Sequence, residues 1–162
     1  LQNSKARFDQ QIKDGSQPVN SYSKYSGVWQ LSGEAGTAYC DDGSPDSDTY
    51  PEYVGQTTWR SRWTFSPDGS FTDTAVESSP TIPTITLYEK VDRYVSGNQL
   101  VYNSEKRYQY ESGYINTTKK WYEGTFVNNT TLRGEQKIEL YRENYGETCV
   151  LYTSLEAIKV SN

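Results

Sequence analysis

The chain has 162 residues and a net charge of −5 at pH 7, and only 33% of it is hydrophobic, although it contains 15 Tyr and 4 Trp. At this length we expect one domain, with large amphipathic rings supplying much of the buried surface. Scattered Lys and Arg on an acidic chain argue against a nucleic-acid partner. The lack of His excludes Ser-His-Asp and Cys-His catalysis and His-ligated metals.

Two further classes are disfavoured by motifs that the sequence lacks. No stretch approaches the roughly 18 uninterrupted apolar residues of a membrane-spanning helix, so we expect no integral membrane association. No Gly-rich loop leads from a strand into a helix, so no nucleotide signature is found and no cofactor is predicted. The oligomeric state is left open.

The N-terminal segment, residues 1–26, is predicted to form a short helix and a polar connector ahead of a barrel at 27–160. Ser4 can cap a helix in which Phe8 and Ile12 share one face. We expect this helix to plug or flank the barrel.

Residues 34–54 are predicted to form a long loop, because they are dense in Gly, Pro, Ser and Asp. Its length suits a lid or a binding loop. The acidic stretch 41–48 misses the spacing of an EF-hand calcium loop, so we expect a solvated acidic loop and no metal site.

Most of the chain reads as strand-length segments rich in Thr, Tyr, Val, Ile and Trp. Eight strands are predicted, at 27–33, 56–66, 69–77, 84–95, 98–111, 114–126, 130–142 and 147–159. Compact turns containing Gly or Asn separate them, and these residues can supply the positive φ that tight hairpins need. The prediction is an all-β, eight-stranded antiparallel up-and-down barrel, with a two-sheet sandwich as the alternative.

Strand alternation predicts which side chains face the interior. In the second strand Trp59, Ser61, Trp63 and Phe65 share one face. The residues predicted by this rule to contact a ligand are Trp59, Trp63, Phe65, Phe71, Leu87, Tyr108, Tyr110 and Tyr122. Alternatively, these rings simply fill a small core, and strand bulges can reverse the alternation locally.

Three glycosylation sequons begin at Asn116, Asn128 and Asn129. Asn128 and Asn129 fall in a predicted hairpin tip, where a glycan fits sterically. The sequons agree with a secreted glycoprotein, but they also arise by chance in a chain rich in Asn and Thr.

Cys40 and Cys149 are the only cysteines. They lie too far apart for a CxxC element, so a disulfide is predicted, with two free thiols as the alternative. A disulfide would pin the long loop to the barrel and indicates a secreted, extracytoplasmic protein.

The segment Ser26-Gly27-Val28-Trp29, which opens the first strand, resembles the lipocalin and wider calycin families. The segment 63–71 is similar to the W-x-F-x-x-D-G-x-F hairpins of bacterial lipocalin-like secreted domains. Avidin-like barrels share the small size and Trp-rich walls. The resemblance implies a calycin-like barrel that holds a small molecule.

The same resemblance implies that Trp29 closes the barrel floor against a basic side chain from the last strand. Lys159 is the first candidate for that cation, and Arg133 is the second. The chain departs from the lipocalin pattern in two ways. No Arg follows Arg142, and the Thr-Asp-Tyr motif between strands six and seven is absent.

The leading functional hypothesis is a secreted protein that binds a small apolar or aromatic molecule in its cavity, with Tyr hydroxyls orienting it. One alternative is a barrel enzyme of isomerase, cyclase or decarboxylase type, in which Asp73, Glu89 or Glu123 acts with a Tyr. Another is an inhibitor or adhesin that binds a protein through its loops.

Overall fold

The computed structural model describes residues 22–35, 38–41, 45–46, 55–76 and 82–162. Within these ranges a single 3-10 turn, Ser23–Tyr25, precedes the strands. The strands are β1 Gly27–Ala35, β2 Ala38–Cys40, β3 Pro45–Asp46, β4 Gly55–Phe65, β5 Phe71–Ala75, β6 Thr84–Ser96, β7 Gln99–Tyr110, β8 Ile115–Asn128, β9 Thr131–Arg142 and β10 Glu147–Ser161. The helix predicted near Ser4 lies outside the described residues. No helix in the described ranges is long and apolar enough to cross a membrane.

Eight of these strands form a nearly closed antiparallel barrel, in the order β5-β4-β1-β10-β9-β8-β7-β6. They correspond to the eight predicted strands. The first strand pairs with both the second and the last, because β1 is bonded to β4 and to β10. This closure confirms the up-and-down barrel and shows that the sandwich alternative is wrong.

The barrel has one seam, between β5 and β6. There the two strands meet through a bridge between Ser70 and Tyr94. The Val95 N–H also donates to the Gly69 carbonyl at 2.6 Å. The bridge lies at the end of the barrel where β4 turns into β5, so the edges are joined at that end.

Glycine makes the tight hairpin turns. Gly69, Gly97, Gly113 and Gly146 all adopt positive φ, whereas no other residue type does so among the described residues. The expectation that Asn also supplies positive φ is therefore wrong for the turns that are described. Asn128 shapes its hairpin differently, since its side-chain oxygen accepts a hydrogen bond from the Thr130 N–H at 2.9 Å.

The predicted loop at 34–54 contains two short strands. β2 pairs with β10 beyond the end of β1, and β3 pairs with β2. The predicted disulfide is confirmed, since Cys40 and Cys149 are bonded and face each other in the β2–β10 ladder. The Asp41 carboxylate accepts a hydrogen bond from the Thr148 N–H at 3.0 Å, which ties the same segment to β10.

One end of the barrel is filled by an aromatic floor. Its six rings are Tyr25, Trp29, Trp63, Phe65, Phe71 and Phe126. Trp29 is completely buried, and its ring lies 5.3 Å from that of Trp63 and 5.6 Å from that of Phe126, measured between centroids. Its indole N–H donates to the Tyr25 carbonyl at 2.8 Å. Each such ring pair contributes about 0.5–1.5 kcal/mol beyond the area that it buries.

Gly27 has a steric reason to be glycine. Its φ is +150°, and an added Cβ would meet the Ser161 carbonyl oxygen and come within 2.6 Å of the Lys159 Cε. The Gly-x-Trp segment therefore combines a close backbone approach at Gly27 with a buried ring at Trp29. Both residues serve the closed end of the barrel.

The disulfide is expected to stabilise the barrel strongly. Because it joins cysteines 109 positions apart, replacing both with Ser should lower the free energy of unfolding by about 4 kcal/mol. Urea unfolding of the oxidised protein and of Cys40→Ser/Cys149→Ser measures this difference. Dithiothreitol should destabilise only the parent protein. Equal midpoints for all samples would show that the bridge contributes nothing.

Gly134 is expected to tolerate no side chain. An added Cβ would collide with the Glu123 carbonyl oxygen and lie 2.6 Å from the Gly124 Cα. Gly134→Ala should therefore cost about 2–3 kcal/mol of unfolding free energy, as overpacking does. Gly33→Ala is the matched control, because its Cβ would make only ordinary contacts of 3.5 Å or more. Similar urea midpoints for the two variants would contradict this packing.

Candidate functional site

Above the aromatic floor lies an interior cavity of about 170 Å³. Its walls differ in chemistry. Trp59, Trp63 and Phe71 form an aromatic wall on β4 and β5, whereas Tyr102, Lys120, Tyr122 and Gln136 form a polar wall on β7, β8 and β9. The strand order places β4 opposite β8 around the barrel. The remaining lining residues are Leu31, Asp73, Leu100 and Leu155.

Two polar atoms of the cavity lining are buried and find no hydrogen-bond partner among the described residues. They are the Trp63 indole nitrogen and the Tyr122 hydroxyl. The Thr153 hydroxyl, next to Gln136 in the β9–β10 ladder, is in the same state. An unsatisfied buried donor costs about 1–3 kcal/mol. The interior therefore carries polar groups that a bound molecule with acceptor atoms would satisfy.

Tyr122 remains a neutral donor over a wide pH range. Only 3% of it is exposed, and burial raises the pKa of its hydroxyl well above the usual value near 10. Its hydroxyl lies over Gly124, since a Cβ built there would be 2.6 Å from it. The missing side chain at Gly124 thus makes room for the Tyr122 hydroxyl.

A cation backs the polar wall at the seam. The guanidinium of Arg93 lies 5.1 Å from the centre of the Tyr102 ring, and the two residues are partners in the β6–β7 ladder. The Arg93 Nε is buried without a hydrogen-bond acceptor among the described residues. A cation over a ring face at a partly desolvated site contributes about 0.5–2 kcal/mol.

The predicted ligand residues are divided by the structure. Trp59, Trp63, Phe71 and Tyr122 line the cavity. Phe65 belongs to the aromatic floor. Tyr108 and Tyr110 lie further along β7, in edge contact with each other, and the Tyr108 hydroxyl is 3.1 Å from that of Thr118.

Leu87 does not line the cavity, and 43% of its surface is exposed. The β6–β7 register shifts between Thr86 and Tyr88, so Leu87 occupies a bulge. Because a bulge interrupts the alternation of side chains, counting from Val91 does not fix the direction of Leu87.

Of the three residues assigned to the barrel floor, Arg133 lies apart from the other two. Trp29 and Lys159 are partners in the β1–β10 ladder, and the Lys159 ammonium donates to the Lys24 carbonyl at 3.1 Å. Arg133 points outward, with its Nε 3.6 Å from the Glu156 carboxylate. The rings of Trp63 and Phe126 pack against Trp29.

The candidate acids are not gathered together. Asp73 lines the cavity from β5, whereas Glu89 and Glu123 are exposed. Of these three carboxylates, only Asp73 is placed to meet a molecule in the cavity. The sulfurs of Cys40 and Cys149 lie near the Glu147 carboxylate, but as a disulfide they offer no thiolate to a metal.

The sequence interpretation did not select Tyr102, Lys120 or Gln136. Tyr102 and Tyr122 are direct ladder partners, as are Tyr122 and Gln136. Lys120 lies two residues before Tyr122 and therefore on the same face. Strand alternation already places Lys120 and Gln136 on the inner face. Because both are polar, they were not predicted to line a cavity.

The outer wall of the barrel carries a second feature. Trp121 and Tyr152 are exposed there, on either side of Lys137. The Lys137 ammonium lies 5.0 Å from the Trp121 ring centre. They border an open groove of about 550 Å³.

No protein-family model, curated protein or solved structure matches this chain. The barrel is compatible with a calycin-like architecture. Functional conclusions therefore depend on the geometry of the cavity and its chemistry.

Tyr122 should make stability depend on pH in alkaline solution. The native state keeps a proton that the unfolded chain releases above about pH 10, so Tyr122 lowers the free energy of unfolding by up to about 1.4 kcal/mol per pH unit there. Tyr122→Phe removes this contribution. The stability of Tyr122→Phe relative to the parent protein should therefore rise between pH 9 and pH 11.

Urea unfolding at several pH values measures this change. Tyr152→Phe controls for loss of a phenol at a site that is 69% exposed. A difference between parent and Tyr122→Phe that stays constant from pH 9 to pH 11 would contradict the burial of a protonated hydroxyl.

Proposed function

We propose that this protein binds a small molecule with a single ring in the barrel cavity and so sequesters or carries it outside the cytoplasm. The observation that carries the proposal is an interior aromatic wall combined with buried donors at Trp63 and Tyr122 that lack partners among the described residues. Ligand sites in proteins typically combine such apolar walls with a few placed polar groups.

The size of the cavity narrows the ligand. A dry cavity of roughly 150 Å³ can hold a benzene-sized molecule, whereas drug-sized ligands occupy roughly 300–1,000 Å³. The volume of about 170 Å³ therefore suits one ring with a few substituents. Trp59 and Trp63 offer ring faces for stacking.

The buried donors of the cavity lining favour ligands with acceptor atoms. An indole N–H can only donate, and the Tyr122 hydroxyl stays protonated because burial raises its pKa. A ligand carbonyl, hydroxyl or carboxylate would therefore satisfy groups that are otherwise costly to bury. A purely hydrocarbon ligand would leave that cost in place.

The disulfide between Cys40 and Cys149 supports the extracytoplasmic location. Such bonds persist in oxidising compartments and are rare in the reducing cytosol. Secretion is part of the proposal.

A surface-binding role is the second candidate. It is favoured by the exposed rings of Trp121 and Tyr152 beside the outer groove, since aromatic residues are enriched where proteins bind partners. Gln136 borders both the cavity and the groove, whereas Trp121 and Tyr152 border only the groove. Variants can therefore separate the two roles.

Native mass spectrometry tests the cavity proposal. The protein is incubated with an equimolar mixture of neutral, acidic and basic single-ring compounds, and we expect a complex of one compound per chain. Tyr122→Phe should weaken binding by roughly 3- to 10-fold, the effect of one neutral hydrogen bond. Trp59→Ala should also weaken it, through the loss of a ring face.

Trp121→Ala/Tyr152→Ala is the matched control, because both rings lie on the outer wall. It should leave binding of the small molecule unchanged. If no compound binds, or if only the outer-wall variant loses binding, the cavity proposal is wrong and the surface role is favoured.

A further inference from the structure

A second pocket lies at the end of the barrel opposite the aromatic floor. It is open, has a volume of about 390 Å³, and is formed by the β7–β8 turn, the β9–β10 turn and the strand ends beside them. The cavity proposed to hold a single-ring compound lies above the floor, and no described residue lines both sites. The open pocket is therefore a separate site with its own chemistry.

The two turns that form this pocket are bonded to each other. The Ile115 N–H donates to the Asn144 side-chain oxygen at 2.9 Å, and the Glu143 N–H donates to the Ile115 carbonyl at 3.0 Å. Cys149, which is bonded to Cys40, follows the second turn on β10 and fixes it further. Because the backbone around the pocket is already held in place, binding there requires little additional ordering of the chain.

Tyr114 and Tyr145 present a stacked pair of exposed rings to the pocket. Their ring centroids are 5.7 Å apart and their planes differ by 13°, and 45% of Tyr114 and 64% of Tyr145 is exposed. A hydrogen bond to Tyr114 raises the pKa of the Tyr145 hydroxyl, so this group stays protonated at neutral pH. An exposed ring face with a hydroxyl at its edge suits a ligand that is apolar on one face and polar at its rim.

The charged groups around these rings are balanced. Arg142 and Glu147 are the charged residues of the described lining, and they are ladder partners with 3.6 Å between the guanidinium Nη1 and the carboxylate Oε1. The nearby Glu143 carboxylate accepts two hydrogen bonds from Arg107, at 2.9 and 3.0 Å. Since neither sign of charge is in excess, the pocket favours a neutral ligand over an ionic one.

Donors and acceptors lie side by side in this pocket. The Asn144 oxygen accepts the Ile115 N–H, so the NH2 group of the same amide is directed away from that bond and can donate. The Glu147 carboxylate, on the same lining, can only accept. A hydroxyl group both donates and accepts. A ligand with several neighbouring hydroxyls therefore matches both kinds of group at once.

We propose that this pocket binds a neutral sugar unit, with the C–H face of the sugar against the Tyr145 ring and its hydroxyls bonded to Asn144 and Glu147. A sugar ring combines an apolar face with a rim of hydroxyls, which is the chemistry that the pocket offers. Arg142 stays paired with Glu147 and orients its carboxylate. This inference goes beyond the proposed cavity function and does not depend on it.

Affinity electrophoresis of the oxidised protein tests the proposal. Native gels contain starch, mixed-linkage β-glucan, xyloglucan or galactomannan as neutral polymers, and polygalacturonate as the acidic one. We expect at least one neutral polymer to retard the parent protein relative to a gel without polymer, and polygalacturonate to leave its mobility unchanged. Retardation by no neutral polymer, or by polygalacturonate alone, would overturn the assignment of a neutral sugar.

Three variants test the residue assignment. Tyr145→Ala should weaken the apparent affinity about 3- to 10-fold through loss of the ring face, whereas Tyr145→Phe keeps the ring and should stay within about threefold of the parent protein. Asn144→Asp keeps the oxygen that accepts the Ile115 N–H but removes the NH2 donors. It should weaken binding about threefold or more without lowering the urea midpoint, a result that a purely structural role of Asn144 would not give.

Trp121→Ala/Tyr152→Ala is the matched control for loss of exposed rings, because both rings border the outer groove and neither lines this pocket. It should be retarded like the parent protein. If this control alone loses retardation, the sugar binds at the outer groove and the assignment is wrong. If Tyr145→Ala and Asn144→Asp both bind like the parent protein, the assignment is wrong as well. Native mass spectrometry with single-ring compounds tests the cavity separately, so either proposal can fail without the other.

Discussion

The buried indole of Trp29 is the contact on which the rest of the barrel depends. Its N–H donates a hydrogen bond to the Tyr25 carbonyl, and this bond fixes the turn before β1 against the end of the barrel. Its ring packs against Trp63 from β4 and Phe126 from β8. One side chain therefore links the first strand to a neighbouring strand and to one across the interior. A slip of β1 by one residue would turn this ring outward, so the floor also fixes the register of the closing strand.

The floor and the cavity share residues, which would couple stability to the binding that we propose. Trp63 and Phe71 belong to the aromatic floor and also line the cavity. The Trp63 ring packs on Trp29, while its indole nitrogen finds no acceptor among the described residues. The packing of the floor thus keeps the Trp63 indole N–H buried, where solvent cannot accept its hydrogen bond. A site of this kind gives up some stability in the empty protein and recovers it when an acceptor is bound.

Much of the architecture follows from local signals in the sequence. The turns with Gly69, Gly97, Gly113 and Gly146 are marked by their own residues, and the alternation of β4 places Ser61 buried as well as the rings around it. Pairing of Cys40 with Cys149 follows from there being only two cysteines. Such features depend on period, turn chemistry and composition, all of which are properties of the sequence.

The site was less predictable, because alternation gives the face of a side chain but neither its height in the barrel nor its neighbours. Tyr108 and Tyr122 are both on inner faces, yet only Tyr122 lines the cavity. Leu87 lies in a bulge that interrupts the alternation of β6, and no pattern in the sequence predicts that bulge. Arg133 was assigned to the barrel floor beside Trp29 only by analogy with lipocalins. The strand pairing places it beside the Glu156 carboxylate instead. The height and the neighbours of a side chain depend on the register between strands that are distant in sequence.

Large and small residues are distributed unequally around the barrel. β4 supplies Trp59 and Trp63, whereas the ladder partners Gly124 and Gly134 supply no side chains on β8 and β9. A Cβ at Gly134 would strike the neighbouring backbone, so this glycine lets the two strands approach closely. At Gly124 the space is taken by the Tyr122 hydroxyl. The absent side chains at these two positions therefore let β8 and β9 approach closely and leave room for the buried Tyr122 hydroxyl. A side chain at Gly124 would meet Tyr122 and Leu132, so this glycine sets the position of the Tyr122 hydroxyl in the cavity lining.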